Sequence, residues 1–296
     1  PYPGVVFAFG GQHGVAGLGM RIATTSAART LSTFVERARI ESDEKANGNG
    51  LGYPHPVYLN NAIHLFMRRQ GGSDGTSMPL IHVKSTSLLP VFPTWSGDRR
   101  ILDFGADSRC YMGQAATLGN KIYIPVVRGN YADTARQDAY LLVYDTIADT
   151  ISNIGGTVTL SPGSWPIDLT TARASFLVRD QLTANTYGLI PCVAVTDDNV
   201  IHFAYGEGAG WNSGEKSDGT LWHTYWTGSA WAARVAVGTL KQRNDNYSLH
   251  PLPGGRLAVS YSVCGTRARA GNIYLRTREA NGAWGAEKLV KGEGNM

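Results

Sequence analysis

Residues 197–226 read DDNVIHFAYGEGAGWNSGEKSDGTLWHTYW, and the six-residue core of this stretch, IHFAYG from Ile201, sets the reading of the whole chain. It is an apolar run behind an Asp/Asn turn, followed by a glycine-rich loop and a second aromatic run, which is the pattern of a hairpin. The same apolar strand returns as VVFAFG at Val5, IHLFMR at Ile63, IYIPVV at Ile122 and LAVSYS at Leu257. The spacings are 58, 59, 79 and 56 residues, and the long one contains an insertion, SPGSWPIDLTTARASFLVRDQLTANTYG. Four copies follow turn residues that tolerate positive φ: Asn60-Asn61, Gly119-Asn120, Asp197-Asp198-Asn199 and Gly254-Gly255. A short strand precedes each turn (PVYL, GQAATL, PCVAVT, SLHPL), and another follows each glycine-rich loop (PLIHVKSTS, AYLLVYDT, LWHTYW, NIYLRTRE).

Four antiparallel strands per unit, repeating every 50–60 residues or so, predict an all-β chain whose units are β-propeller blades. Each such sheet has two apolar faces and buries them against its neighbours. A pair of β-sandwiches is the rival, but it gives no reason for one strand to recur five times in one register. The expected single domain divides into blades at about 1–48, 49–107, 108–166, 167–240 and 241–296. The first blade lacks an innermost strand, because PYPG leads directly into its second strand. Completion of the ring would need that strand from the C-terminus, where GEGNM reads as a poor strand, or from residues outside the chain. An opening at Pro1 rather than Met is expected of a mature or trimmed product.

Composition fits. The 296 residues include 36 Gly, 14 Tyr and 7 Trp but only 17% charged residues, the balance of short strands and tight turns rather than long helices. No run of about 18 apolar residues is present, so no membrane insertion is expected. A net charge of +4 without a basic run predicts no nucleic-acid partner. Cys110, Cys192 and Cys264 are odd in number and widely spaced, which gives neither a disulfide framework nor zinc-ligand spacing.

Antiparallel geometry predicts a site without any analogue. The start of a blade's first strand and the end of its second lie at one edge, where propellers hold ligands. Those positions carry Gln12, His13, Arg68, Arg128, Asn130 and Glu207 at second-strand ends, and Tyr53, His55, Arg109, Tyr111 and Tyr247 at first-strand starts. Arg173 on the insertion and Trp211 in a glycine-rich loop, suited to stacking on a sugar, complete the set. His64, His82, His202 and His223 fall inside strands and are read as sheet-packing residues. The oxygen-rich turns Asp197-Asp198-Asn199 and Asn244-Asp245-Asn246 allow a structural Ca²⁺, although no cofactor is required.

Two stretches carry a family resemblance: DDNVIHFAYGEG with SDGTLWHTYWTGSAW (within 197–231), and NIYLRTREANGAWGAEKLV (272–290). They resemble the BNR-repeat, sialidase-like propellers, and the layout is nearest to the branch with ulvan lyases and related polysaccharide lyases. The box motif of that group is present only in compressed form, as Ser217-Asp218-Gly219-Thr220-Leu221-Trp222 and Ser73-Asp74-Gly75-Thr76, and it falls one strand early. The resemblance implies a secreted or extracellular protein whose partner is a polysaccharide or glycan. With the arginines, tyrosines and histidines above, it points to a lyase cleaving a uronate-containing polysaccharide by β-elimination. His13, His55, Tyr111 and Arg128 are the catalytic candidates and the others bind substrate. A lectin or phage-tail-type receptor-binding module is the first alternative, but it should repeat its polar positions in every blade, and the second-strand ends here differ. A sialidase-like hydrolase is the second, with Glu207 and Asp245 as its carboxylates.

Overall fold

The computed structural model describes residues 7–10, 20–25, 34–40, 50–69, 77–86, 94–130, 138–184, 186–209, 218–241, 246–263 and 271–291. The chain packs as two compact units, one of Pro1–Met112 with Pro162–Leu169, the other of Gly113–Ser161 with Thr170–Met296.

In the first unit, β1 (Phe7–Gly10), β2 (Met20–Thr25) and β3 (Phe34–Ile40) form a three-stranded antiparallel sheet. β4 (Leu51–Leu59), β5 (Ala62–Arg69), β6 (Leu80–Lys84) and β7 (Arg99–Leu102) form a four-stranded one in sequence order. Asn60 and Asn61, at φ 50° and 58°, make the β4–β5 turn as the sequence predicts. β5 is buried along its whole length. Alternation sends Leu65 and Met67 into a core with Met20, Ile22, Leu51, Ile81 and Val83, which joins the two sheets. Each fully buried aliphatic side chain there contributes about 1.5–3 kcal/mol. β8 (Ser108–Met112) ends the main segment.

In the second unit, β9 (Ala116–Leu118), β10 (Lys121–Asn130), β11 (Ala139–Asp145), β12 (Thr150–Ser152) and β13 (Thr159–Leu160) pair successively. The insertion supplies α1 (Leu169–Ser175) and β14 (Leu177–Arg179), which pairs with β11 beyond the end of β12. Then come β15 (Tyr187–Gly188), β16 (Cys192–Val195), β17 (Ile201–Gly208), β18 (Gly219–Tyr225) and β19 (Val235–Leu240), with β15 and β16 both on β17. The last sheet is β20 (Tyr247–Leu252), β21 (Arg256–Val263), β22 (Asn272–Arg278) and β23 (Lys288–Lys291). β17 is buried on both faces: Phe203 and Tyr205 pack towards Tyr123, Leu141 and Val143, while Ala204 packs towards Leu249, Leu257 and Val259.

The strand histidines form two equivalent pairs. His64 Nδ1 and His82 Nε2 share a hydrogen bond of 3.1 Å, and His202 Nδ1 and His223 Nε2 share one of 3.0 Å. In both sheets the second histidine sits two residues before the residue opposite the first, Lys84 in one and Tyr225 in the other. Thr196 Oγ1 lies 3.1 Å from His202 Nε2, which extends that pair to a third side chain. Burial lowers His202 to about 4 and pushes His223 well below its ordinary value, with the charges of His202 and Arg278 adding to the second. Both are therefore protonated in the unfolded chain before they are in the folded one. Stability should be full above pH 6.5 and fall as the pH drops towards 4, by about 1.4 kcal/mol per pH unit for each such histidine. Urea midpoints between pH 7 and 4.5 check this, and the double variant His202→Gln/His223→Gln should flatten the profile.

Candidate functional site

The edge where β4 begins and β5 ends gathers the predicted groups of the first unit. A bulge between Gly52 and His55 interrupts the β4–β5 ladder, and Tyr53 takes φ 55°. A non-glycine residue in the left-handed region is a local strain that re-aims its side chain. Here the ring is turned outward and is 45% exposed. Gly52 lies opposite Arg68, so the turned ring and the arginine share one edge. β8 is brought to the same edge because Met78 N–H donates to Ser108 O (2.9 Å) and Cys110 N–H to Met78 O (2.9 Å). Period-two alternation on β8 buries Ser108, Cys110 and Met112 and leaves Arg109 and Tyr111 together on the other face.

The result is an arginine between two phenols. Arg68 is only 2% exposed, with its guanidinium carbon 4.4 Å from the Tyr53 ring centre and 4.6 Å from that of Tyr111. The two rings meet edge to face, 5.9 Å apart at 75°. Arg109 Nη1 donates to Tyr111 OH at 3.5 Å. Burial alone would raise the Tyr111 phenol, but the hydrogen bond from Arg109 and the charge of Arg68 outweigh it, and the phenol is held below its ordinary value. Neighbouring Arg69 pairs with Asp98, both nearly buried, which fixes the strand end. His55 is half-buried two residues beyond Tyr53, and desolvation lowers it to about 4, so it is a neutral imidazole at pH 7. Tyr53, Arg68, Arg109 and Tyr111 are thus brought together, with His55 on the same strand.

The remaining described candidates lie in the second unit. Glu207 accepts from Arg179 Nε and Nη2 at 2.8 and 2.9 Å and from Arg234 Nη1 at 3.0 Å. Burial would raise it, but the two guanidiniums hold its carboxyl below the usual range. Arg234 also stacks on Trp222 at 4.0 Å and donates to Tyr205 OH at 3.3 Å. Arg173 donates to Asp138 and, at 3.0 Å, to Asp180. Tyr247 OH accepts the Gly206 N–H at 2.8 Å, and burial pushes its phenol well up. Arg128 is half-buried on β10 and donates its backbone N–H to Asp138 O at 3.1 Å, and Asn130 ends that strand. Gln12, His13, Trp211, Asn244 and Asp245 lie outside the described residues. Asp197 accepts the N–H groups of Gly254 and Gly255, at 2.7 and 2.5 Å, and so ties two hairpin turns together. Among the described residues no group of three or more His, Cys, Asp or Glu is placed to hold a metal ion. No described helix is long and apolar enough to cross a membrane. Sequence reasoning overlooked Asp138, Arg179 and Arg234, because none stands at a strand end of the repeat. The insertion that carries Arg179 was the only signal available.

No family model and no curated protein matches the chain. Solved structures do. A polysaccharide lyase, a PL25 ulvan lyase, aligns with a TM-score of 0.72 at 15% identity over 99% of this chain and 68% of its own. The same type of enzyme bound to -[GlcA(1-4)Rha3S]- gives 0.71 at 16%. The GH93 α-L-arabinofuranosidase of Fusarium graminearum with arabinobiose gives 0.56 at 15% over 92% and 73%. The Trypanosoma rangeli sialidase with the inhibitor DANA gives 0.51 at 14% over 97% and 43%. All three are carbohydrate-acting enzymes of propeller type, and at these identities the likeness establishes the fold of this chain, an all-β propeller built of antiparallel sheets.

Proposed function

We propose that this protein is an extracellular enzyme that cleaves a uronate-containing polysaccharide by β-elimination. The observation that carries the reading is the cluster of Tyr53, Arg68, Arg109 and Tyr111, in which the two guanidiniums lower the Tyr111 phenol, on an edge whose strand β4 also carries a neutral His55. β-Elimination needs a cation on the uronate carboxylate, a base for the proton alpha to it, and an acid for the departing 4-linked oxygen. Arg109, half-exposed, faces the carboxylate, and Arg68 supports the charge from beneath. His55 is unprotonated at pH 7 and takes the C5 proton, becoming imidazolium. The C5–H electron pair forms the C4=C5 double bond as the C4–O bond breaks. Tyr111 gives its proton to the leaving oxygen, and the two guanidiniums stabilise the phenolate that remains. His55 starts in the protonation state it holds at neutral pH. Tyr53, exposed at the same edge, extends the proposed substrate-binding surface. Glu207 is an unsuitable general acid for a hydrolase, since a carboxyl bound by two arginines resists protonation.

The test is incubation with a panel of uronate polysaccharides while following ultraviolet absorbance of the unsaturated product. At least one should give a rise. Glycan binding without any rise, across the panel, would replace the enzyme by a lectin.

A further inference from the structure

The second unit holds a cavity of about 380 Å³ that the proposed chemistry does not use. It arises from an irregularity in the ladder. β11 pairs with β12 through Val143–Asp145 and with β14 through Ala139 and Tyr140. At the changeover, Leu141 N–H donates to Phe176 O at 3.0 Å, and the diverging strands leave an opening floored by Leu141, Ile154 and Phe176. Its wall is a pair of indoles. Trp226 and Trp231 meet edge to face across a bridged hairpin, 5.6 Å apart at 72°, and both pack on the core around Phe203. That hairpin turns at Gly228, whose φ of 98° favours glycine. Gly155 lies flat on Trp226, where a Cβ would be 3.6 Å from the indole. Asn153, Thr157, Ser175 and Ser229 supply the polar part of the lining, and no ionisable side chain is among the described lining residues.

This chemistry selects its occupant. Indole faces with a hydroxyl-and-amide margin suit a molecule with one apolar face and a polar edge, and the volume lies at the small end of ligand pockets. The absence of charge among the lining residues gives a carboxylate or sulfate nothing to pair with and would leave it desolvated. We propose that this cavity of the second unit is a further carbohydrate site that takes a neutral pyranose. Two packed indoles are already ordered, so little entropy is lost on binding. The choice of a sugar as occupant rests on the carbohydrate-active reading, whereas the cavity does not.

The experiment is saturation-transfer NMR with neutral methyl pyranosides of glucose, galactose, xylose and rhamnose, beside methyl glucuronide. Transfer to the ring C–H protons of at least one neutral pyranoside is expected. Ser229→Phe, an exposed turn position that fills the cavity while keeping both indoles, should weaken it about tenfold or more and leave β-elimination rates unchanged. Trp226→Ala should weaken it as well, and Arg68→Ala should leave it intact. No transfer from any neutral pyranoside, undiminished transfer in Ser229→Phe, or loss in Arg68→Ala would each overturn the proposal. Transfer seen in a protein that cleaves no uronate polymer would support this site and remove the lyase reading alone.

Discussion

Tyr111→Phe should lower the rate of uronate β-elimination by about 10²–10⁴-fold, the range that a positioned proton donor contributes, with little change in stability. The substitution removes one oxygen, the atom that Arg109 Nη1 approaches at 3.5 Å, and leaves the ring on which Arg68 stacks. A structural role for Tyr111 would predict the reverse, lost stability with the rate retained per folded molecule. The pH profile separates the two further. Activity should fall on the acid side as His55 becomes charged near pH 4, since a protonated imidazole is no base. It should fall on the alkaline side as Tyr111 ionises, at a pH below that of an ordinary phenol because Arg109 and Arg68 favour its charged form. In Tyr111→Phe the alkaline limb should vanish and the acid limb should stay. Steady-state rates between pH 4 and 10, with a urea melt of the same variant, decide the matter. A variant of wild-type activity, or one that keeps its alkaline limb, would remove Tyr111 from the chemistry.

The parts of this arrangement that follow local rules are legible in the sequence. Strand alternation and turn residues act over a few positions, so the five recurring strands and their turns at Asn60-Asn61, Gly119, Asn199 and Gly254-Gly255 emerge with the positive φ their residue types predict. Antiparallel pairing then places the start of β4 beside the end of β5, which is why Tyr53 and Arg68 could be read as neighbours. What no local rule specifies is direction. The bulge after Gly52 that turns Tyr53 outward, and the bridge from Met78 to β8 that delivers Arg109 and Tyr111, depend on contacts set by the packed unit. The cavity beside Trp226 is similarly hidden: Trp231 reads as a repeated aromatic after a glycine turn, and the change of partner along β11 comes from an insertion that has no counterpart in the other repeats.

That insertion is held by one buried carboxylate, and Asp138→Ala should destabilise the second unit by about 3–5 kcal/mol, since each buried donor that loses its acceptor costs about 1–3 kcal/mol. Asp138 is fully buried. Its Oδ1 accepts the backbone N–H groups of Gln181 and Leu182, each at 3.0 Å, and its Oδ2 accepts Tyr140 OH at 3.2 Å and an Arg173 N–H. These donors come from β11, from α1 and from the turn after β14, so one side chain ties three elements that sequence keeps up to 44 residues apart. Removing it takes the acceptor from two backbone N–H groups and one acceptor each from the Tyr140 phenol and from Arg173, which keeps Asp180, and a buried donor that loses its acceptor costs free energy. Asp138→Asn retains an acceptor oxygen for the backbone groups and should cost less. Arg173→Ala should cost less again, because the carboxylate keeps its other three donors. Urea midpoints at constant m-value measure the series, and amide exchange at Gln181 and Leu182 should accelerate in Asp138→Ala before it does elsewhere in the unit. Equal losses for Asp138→Ala and Arg173→Ala would mean that the ion pair, rather than the four-donor anchor, holds the insertion in place.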